Sequence, residues 1–319
     1  MKATPAMAPP KTTGALTRAI LWMTLALLSF SAIAIAGREA SRSLSTTELI
    51  LWRSVIGIVV LAAIYRIQDG SLAGARSTVM PVHVVRSVIH YSAQYAWLYA
   101  LTLIPLAELF ALEFTAPLWV ALIAPLALGE KLTPWRMAAA GIGFLGAVLV
   151  AEPGLLTGSL QMSVSAGTLF AAYSALGFAS SMMITKRLTR TDPAMRILFW
   201  MQVLQALIAV LVLAFAWLRK GQWPLAPFAT TPASAWAWVV LLGIAGLGAH
   251  FGLTRAFGLA DAIIVAPMDF LRLPLIAAVG AFVYHETLAP SVAIGAAVVV
   301  LGNFINVWAE RRARTKPSA

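Results

Sequence analysis

The sequence predicts an all-α integral membrane protein of ten transmembrane helices, arranged as two inverted five-helix repeats with both termini in the cytoplasm. Composition, the placement of basic residues and one pair of related segments lead to that reading. Of the 319 residues 61% are hydrophobic and only 11% are charged, whereas a soluble domain carries roughly a quarter of its residues as charges. A chain this apolar is counted in membrane spans of roughly 20 residues rather than in globular domains.

The elements follow in order from apolar runs bounded by charges, glycine or proline. Residues 1–17 form a short, polar, basic N-terminal segment. The run behind them ends in small residues, as a signal peptide does. It is longer than a signal core and more membrane follows, so an uncleaved first span is expected over 18–37. Arg38 and Arg42 close that span, and Arg66 closes the second, 47–66. The third, 82–103, is separated from the fourth, 105–128, by Pro105. The fifth, 133–151, follows the turn at Gly129, Glu130 and Lys131 and completes a first half, 18–151. The second half, 164–309, holds spans at 164–186, 195–218, 235–258, 262–283 and 289–309, and a basic cytoplasmic tail, 310–319, follows. The longer loops, 67–81 and 219–234, contain Gly, Pro, Ser and Thr and no pattern that would build a further domain.

Lysine and arginine accumulate on the cytoplasmic side of a membrane protein. Counted on alternate sides of these ten spans, 17 basic residues face one side, including Lys186, Arg187, Arg190 and Arg196, and 4 face the other, Arg38, Arg42, Arg219 and Lys220. The remaining two, Arg53 and Arg272, fall inside spans. The bias puts both termini in the cytoplasm, and the expected location is the inner, plasma membrane of a bacterium, crossed many times. The net charge of +11 could suggest nucleic acid. The basic residues stand at the ends of apolar runs with no interleaved aromatics, so no nucleic-acid partner is expected. The absence of cysteine excludes disulfides, thiolate metal sites and cysteine nucleophiles.

Two segments are alike: PLWVALIAPLALGEKLTP, 117–134, and PLIAAVGAFVYHETLAP, 274–290. Each runs from a proline through an apolar half-helix to a Glu, then Leu, one residue and Pro. They are the fourth span of the first five and the fourth of the second five. A five-span repeat enters the membrane in opposite directions in its two copies. The charges agree, since the first turn carries Lys131 and Arg136 and the second, HETLAP, carries neither.

With IPLAELFALEFTAPLWVALIAPLALGEKLT at 104–133 and LADAIIVAPMDFLRLPLIAAVGAFVYHETL at 259–288, the chain resembles the EamA-type members of the drug/metabolite transporter superfamily over about residues 18–309. The Gly-Glu-Lys turn at 129–131 and the Ala-Pro pair at 266–267 carry most of the likeness. The second copy departs from the first by placing His285 where the first has Gly129. The resemblance implies a secondary carrier working by alternating access, with a central cavity lined mainly by spans three, four, eight and nine. Members move amino acids, cofactors and other small metabolites, so the resemblance alone does not choose a cargo.

Inside the spans, polar groups mark the candidate site. A charge at the centre of a membrane helix costs roughly 2.5–3.5 kcal/mol on the insertion scale. Asp269 and Arg272 lie between Pro267 and Pro274 in APMDFLRLP, 266–274, and being three apart they can neutralise each other on a helix. A proline cannot donate to the carbonyl four residues back. Pro274 is therefore expected to free the carbonyl of Phe270, and Pro117 that of Glu113, placing a charge and an open backbone oxygen near the midplane in both halves. Asp269 and Arg272 are read either as a substrate or proton site or as a buried strut. In the third span His90, Gln94 and Trp97 share one stripe and Tyr91, Tyr95 and Tyr99 the next. Trp97 and Tyr99 are expected in the interfacial belt, and His90, Tyr91, Gln94 and Tyr95 deeper, as a cavity wall for a planar solute. Arg53 requires a partner, with Glu113 and Glu108 as candidates, or a position near the outer interface. Asn303 and Asn306 are expected to hydrogen-bond between helices.

These readings favour a secondary transporter of a small organic metabolite, with export of an amino acid or related compound ahead of uptake of a planar cofactor such as S-adenosylmethionine or riboflavin. No GxxxxGK[ST] loop occurs, so energy is expected from a proton or an exchanged solute. No enzyme is expected, because HE at 285–286 lacks the second His of HExxH and no serine sits in a G-x-S-x-G elbow. A channel would call for rings of charge or carbonyl filters. No cofactor and no metal are expected. The partners expected are the solute and the lipid bilayer, with monomer and dimer both left open.

Overall fold

A computed structural model describes residues 13–128, 134–152, 154–157, 164–221, 225, 231–259 and 268–315. The Gly129 to Lys131 turn, Ala266 and Pro267 lie outside the described residues. Among the described residues the regular structure is helical throughout. The helices are α1 (Thr13–Ala40), α2 (Thr46–Asp69), α3 (Met80–Ala100), α4 (Leu106–Glu113), α5 (Ala116–Leu128), α6 (Pro134–Ala151), a single turn α7 (Gly154–Thr157), α8 (Ala166–Leu188), α9 (Ala194–Lys220), α10 (Ala233–Leu259), α11 (Arg272–Val283) and α12 (Pro290–Thr315), with a 3₁₀ turn at Ala73–Ala75.

Local chemistry fixes several of the ends. Ser45 begins α2 with a capping box, its side chain accepting from Glu48 N while the Glu48 carboxylate accepts from Ser45 N. Gly70 and Gly221 end α2 and α9 in the left-handed conformation, at φ 66° and 65°. Ser165 caps α8 by accepting from Thr168 N. His285, which follows α11, has φ 54°. A left-handed backbone is one that glycine adopts more readily than histidine.

Seven helices of the described residues are long and apolar enough to cross a membrane, and Met137–Ala151 and Arg272–Val283 are shorter apolar helices. The α3 helix is outside those seven because His83, Arg86, His90 and Gln94 interrupt its apolar sequence. Three of these, His83, Arg86 and Gln94, are buried. The same inversion runs through the molecule. Leu21, Val59, Ile67, Leu169, Phe215, Leu218 and Phe282 are exposed, while Arg53, Gln202, Gln205, Arg272 and Asn303 are buried. The core is apolar as well, but the few polar and charged groups of the spans are turned into it and away from the lipid-facing surface, as lipid as a solvent demands.

The main packing pairs are α1 with α10, α3 with α8, α2 with α9, and α6 with α12. Small residues let these backbones close up. A Cβ on Gly146 would stand 2.6 Å from Gly295 O, and one on Gly295 would stand 2.6 Å from Gly146 O. Where α1 meets α10, a Cβ on Gly252 would stand 2.8 Å from Trp22 O.

The fourth and ninth expected spans are both broken. Residues 114–115 form a turn between α4 and α5, and residues 270–271 form a turn between the helical positions 268–269 and α11. Each break falls a few residues ahead of its proline, Pro117 or Pro274. The carbonyl expected to be open in the second half is occupied, because Leu273 N donates to Phe270 O at 3.1 Å in a tighter turn. In the first half Leu118 N turns to Thr115 O at 2.9 Å. The buried Asn303 Nδ2 of α12 donates to Phe114 O at 2.7 Å, which fulfils the interhelical role expected of Asn303.

Candidate functional site

The breaks bring Glu113, at the end of α4, together with Asp269 and Arg272. The Arg272 guanidinium lies 3.2 Å from Glu113 and 3.6 Å from Asp269. The side chains are 7%, 15% and 28% exposed for Arg272, Glu113 and Asp269, so the triad is buried with Asp269 at its more open edge. Three rings surround the cation, with centroids 4.2 Å (Phe30), 4.9 Å (Phe114) and 5.4 Å (Phe110) from the guanidinium carbon. Trp97 Nε1 donates to the second oxygen of Glu113 at 2.7 Å. Trp97 is thus a core residue that orients a carboxylate, and not a belt residue as its place near the end of its span suggested. Its indole N–H finds a better acceptor inside than at the interface.

Two carboxylates around one guanidinium leave one formal negative charge uncompensated. Asp269 Oδ1 and Arg272 Nε have no hydrogen-bond partner among the described residues. Buried polar atoms are usually hydrogen-bonded, so these two have capacity for a further partner. The triad can therefore take up a proton or a cationic group at Asp269 without dismantling the Arg272–Glu113 pair.

Arg53 pairs with neither candidate. Glu113 is held by Arg272, and Glu108 accepts from Thr168 at 2.7 Å. Arg53 is 8% exposed, so protein encloses its side chain. It lies among His90, His250 and Arg86, which act on one another electrostatically. Arg86, grouped with the cytoplasmic charges on sequence, is buried inside the bundle and donates to Thr185 Oγ1 at 2.5 Å. His90 Nδ1 is 3.2 Å from Ser181 Oγ, and its ring lies 5.4 Å from that of Phe178. The rest of the α3 stripe is packed against protein. Tyr91 is in the core, Gln94 accepts from Gln205 Nε2 at 3.0 Å, and Tyr95 stacks on Tyr99 at 6.3 Å. Pro117 and Pro274 stand behind the helix breaks, and Pro267 is not described.

Two clusters that the sequence did not single out tie helix ends together. Arg38 forms an ion pair with Glu286 and donates to Leu101 O at 3.0 Å and Ile104 O at 2.7 Å, while Glu286 accepts from Leu106 N at 2.9 Å. The second cluster surrounds Asp192. Its Oδ2 accepts from Ser77 at 2.5 Å and meets His83 Nε2 at 2.7 Å, and its Oδ1 accepts from Arg196 at 2.7 Å. Burial alone would raise the pKa of Asp192. The hydrogen bonds from Ser77, His83 and Arg196, with the Arg196 charge, outweigh burial and hold it down at about 2. A cavity of about 250 Å³ lies beside the Arg38 cluster and includes Glu108, Ser165, Thr168, Glu286 and Thr287 in its lining. It touches neither the Arg272 triad nor Arg53.

Comparison with known proteins gives a consistent picture. The sequence profile of the EamA-like transporter family matches twice, over residues 17–151 and 165–308. A riboflavin transporter of Brucella anthropi is 30% identical over 284 residues, 87% of this chain and 94% of that protein. An S-adenosylmethionine uptake transporter of Rickettsia bellii is 24% identical, over 92% of this chain and 95% of that protein. The pseudopaline exporter CntI of Pseudomonas aeruginosa is 27% identical, over 88% and 95%. One solved crystal structure shares the fold with a TM-score of 0.62 at 23% identity, covering 92% of this chain and 99% of its own.

Proposed function

The chain belongs to the EamA-like transporter family, and from that premise we propose that it is a secondary active carrier of a small organic metabolite, working by alternating access in the inner membrane of a bacterium. Ten spans in two inverted halves, 18–151 and 164–309, with both termini cytoplasmic, are the architecture of this reading. Its support is the packing list. Exchanging each expected span with the one five places later turns the contact of α1 with α10 into that of α8 with α3, and returns the contacts of α2 with α9 and of α6 with α12 to themselves. A pseudo-twofold axis in the membrane plane generates this relation.

The single observation that carries transport is the Glu113–Arg272–Asp269 triad, buried between the two halves beside two helix breaks. Broken helices at the midplane are where carriers of inverted-repeat design hold solute and coupling ion. Asp269 is the coupling group in this account, exchanging Arg272 for a proton or for a cationic part of the solute, and Glu113 keeps Arg272 in place. His90, Tyr91, Gln94, Tyr95 and Arg53 belong to the wall of the same pathway.

On cargo, the named relatives favour a solute of cofactor size, taken up, over a free amino acid exported, since two of the three described above act on riboflavin or S-adenosylmethionine. The exporter of pseudopaline keeps the outward direction as the second reading. The test is counterflow in proteoliposomes with labelled riboflavin, S-adenosylmethionine and a panel of amino acids. Wild type accumulates one of them transiently and saturably, and Asp269→Asn does not, although it inserts. Full counterflow by Asp269→Asn would remove its charge from the mechanism.

A further inference from the structure

Arg53 and Arg86 are both buried permanent cations that no described carboxylate balances, and while Arg86 donates to Thr185, Arg53 has no hydrogen-bond partner among the described residues. It sits in α2, eight residues in from the Ser45 cap, and is 8% exposed. A guanidinium does not give up its proton, so burial cannot neutralise it as it can a lysine. Glu113 and Asp269 face Arg272, Glu286 faces Arg38, Asp192 faces His83 and Arg196, Glu39 faces Arg42, Glu48 closes its capping box and Glu108 accepts from Thr168. His250 stands four residues from Gly246, on the α10 face that meets Arg53, and the charges that reach His90 and His250 are those of Arg53 and Arg86 and of the imidazoles themselves. No carboxylate is among them.

The fold also keeps this place open for the guanidinium. A Cβ on Gly246 of α10 would stand 2.8 Å from Arg53 Nη2, so α10 supplies a glycine where the cation lies. His90 is fixed through Nδ1 by Ser181, which leaves Nε2 as its second ring nitrogen. A guanidinium beside two imidazoles is a donor set suited to an oxyanion, since each neutral imidazole still offers one N–H.

We propose that Arg53, with His90 and His250, receives an anionic group, a carboxylate or a phosphate, on the transported solute. The proposal rests on the carrier reading and narrows its substrate class. It separates solutes such as S-adenosylmethionine, which has a carboxylate, from uncharged riboflavin. It also gives the pathway two poles, because Trp97, the ligand of Glu113, lies seven residues along α3 from His90, about 10 Å at the helical rise. A solute carrying both a carboxylate and an ammonium or sulfonium group would meet Arg53 at one end and the excess carboxylate of the Arg272 triad at the other.

Titration of the purified full-length protein with matched pairs tests this, using tryptophan fluorescence or thermal shift at pH 7. The pairs are S-adenosylmethionine and its decarboxylated form, leucine and leucinamide, and riboflavin 5′-phosphate and riboflavin. In one pair the anionic member binds at least about tenfold more tightly, and the pair in which it does so tells carboxylate from phosphate. Arg53→Gln weakens that member by about ten- to a hundredfold, to the level of its neutral partner, whose own affinity is unchanged. Equal loss of both members would make Arg53 a structural residue and overturn the proposal. So would recovery of anion binding in Arg53→Gln on adding Asp261→Asn, which would mark the arginine as a strut for a carboxylate outside the described residues. A protein that performs counterflow yet prefers the neutral members overturns the anion site and leaves the carrier standing. One that binds no member and performs no counterflow overturns both.

Discussion

Arg272 determines what its neighbours can do, because one guanidinium serves both Glu113 and Asp269 inside a cage of three phenyl rings. Removing the cation leaves two buried carboxylates side by side, a defect of about 3–5 kcal/mol. Arg272→Leu is therefore expected to abolish folded protein, read as loss of the monodisperse peak in detergent, whereas Asp269→Asn keeps the peak. Trp97→Phe removes the hydrogen bond to Glu113, at a cost of about 1.5–3 kcal/mol for a bond to a charged acceptor, together with part of a buried ring packed on Phe110, and lowers the melting temperature without preventing insertion. Asp192 carries a pH signature of its own. Its native pKa, about 2, lies below the unfolded value of about 3.9, so its stabilisation is present above about pH 4 and is lost as pH falls toward 2. Asp192→Asn should lower the melting temperature at pH 7 and flatten the acid limb of a stability–pH profile. The charges themselves were legible in the sequence because an apolar run makes any charge conspicuous. Their partners were less so. Asp269 and Arg272 are three apart and announce each other, but Glu113 reaches Arg272 across more than 150 residues, and no spacing rule links them. The Arg38–Glu286 pair had one signal that went unused, since Arg38 is one of only four basic residues on its side of the expected membrane.

At the level of the element, proline and glycine explain most of what periodicity could not. Pro117 and Pro274 did forecast interrupted helices, but the carbonyl expected to be open at Phe270 is occupied. A chain that breaks ahead of a proline tightens into a 3₁₀-like turn, and this satisfies Phe270 O locally while leaving Phe114 O to Asn303. Asn303→Leu is expected to leave that carbonyl unpaired and to destabilise by about 1–3 kcal/mol. The α6–α12 contact depends on backbones that touch at Gly146 and Gly295. Gly295→Leu should push the helices apart and cut the yield of folded protein, while Gly14→Leu, where a Cβ meets nothing within 4 Å, should not. His285 offers the opposite case. With φ at 54° it bears a left-handed cost of roughly 1–2 kcal/mol that glycine does not, so His285→Gly should raise the melting temperature.

For the whole molecule, the hydropathy of the chain and the 17-to-4 distribution of basic residues made a multi-span helical protein legible, and the paired segments at 117–134 and 274–290 pointed to its two halves. The pairing of helices across the halves was not legible, because lipid-facing and protein-facing sides are both apolar and only the small residues distinguish them. The natural absence of cysteine makes orientation directly measurable. Ser43→Cys and Arg190→Cys, both at exposed positions, should label from opposite sides. Ser43→Cys should react with an impermeant maleimide in intact cells, and Arg190→Cys only after permeabilisation; labelling of both from one side would refute the inverted arrangement. The central claim, that the Glu113–Arg272–Asp269 centre drives alternating access, is tested most directly by counterflow in proteoliposomes. The account predicts transient, saturable accumulation of one labelled metabolite by the wild type and its loss in an inserted Asp269→Asn variant. A linear, unsaturable flux, or equal counterflow by the two proteins, would contradict it.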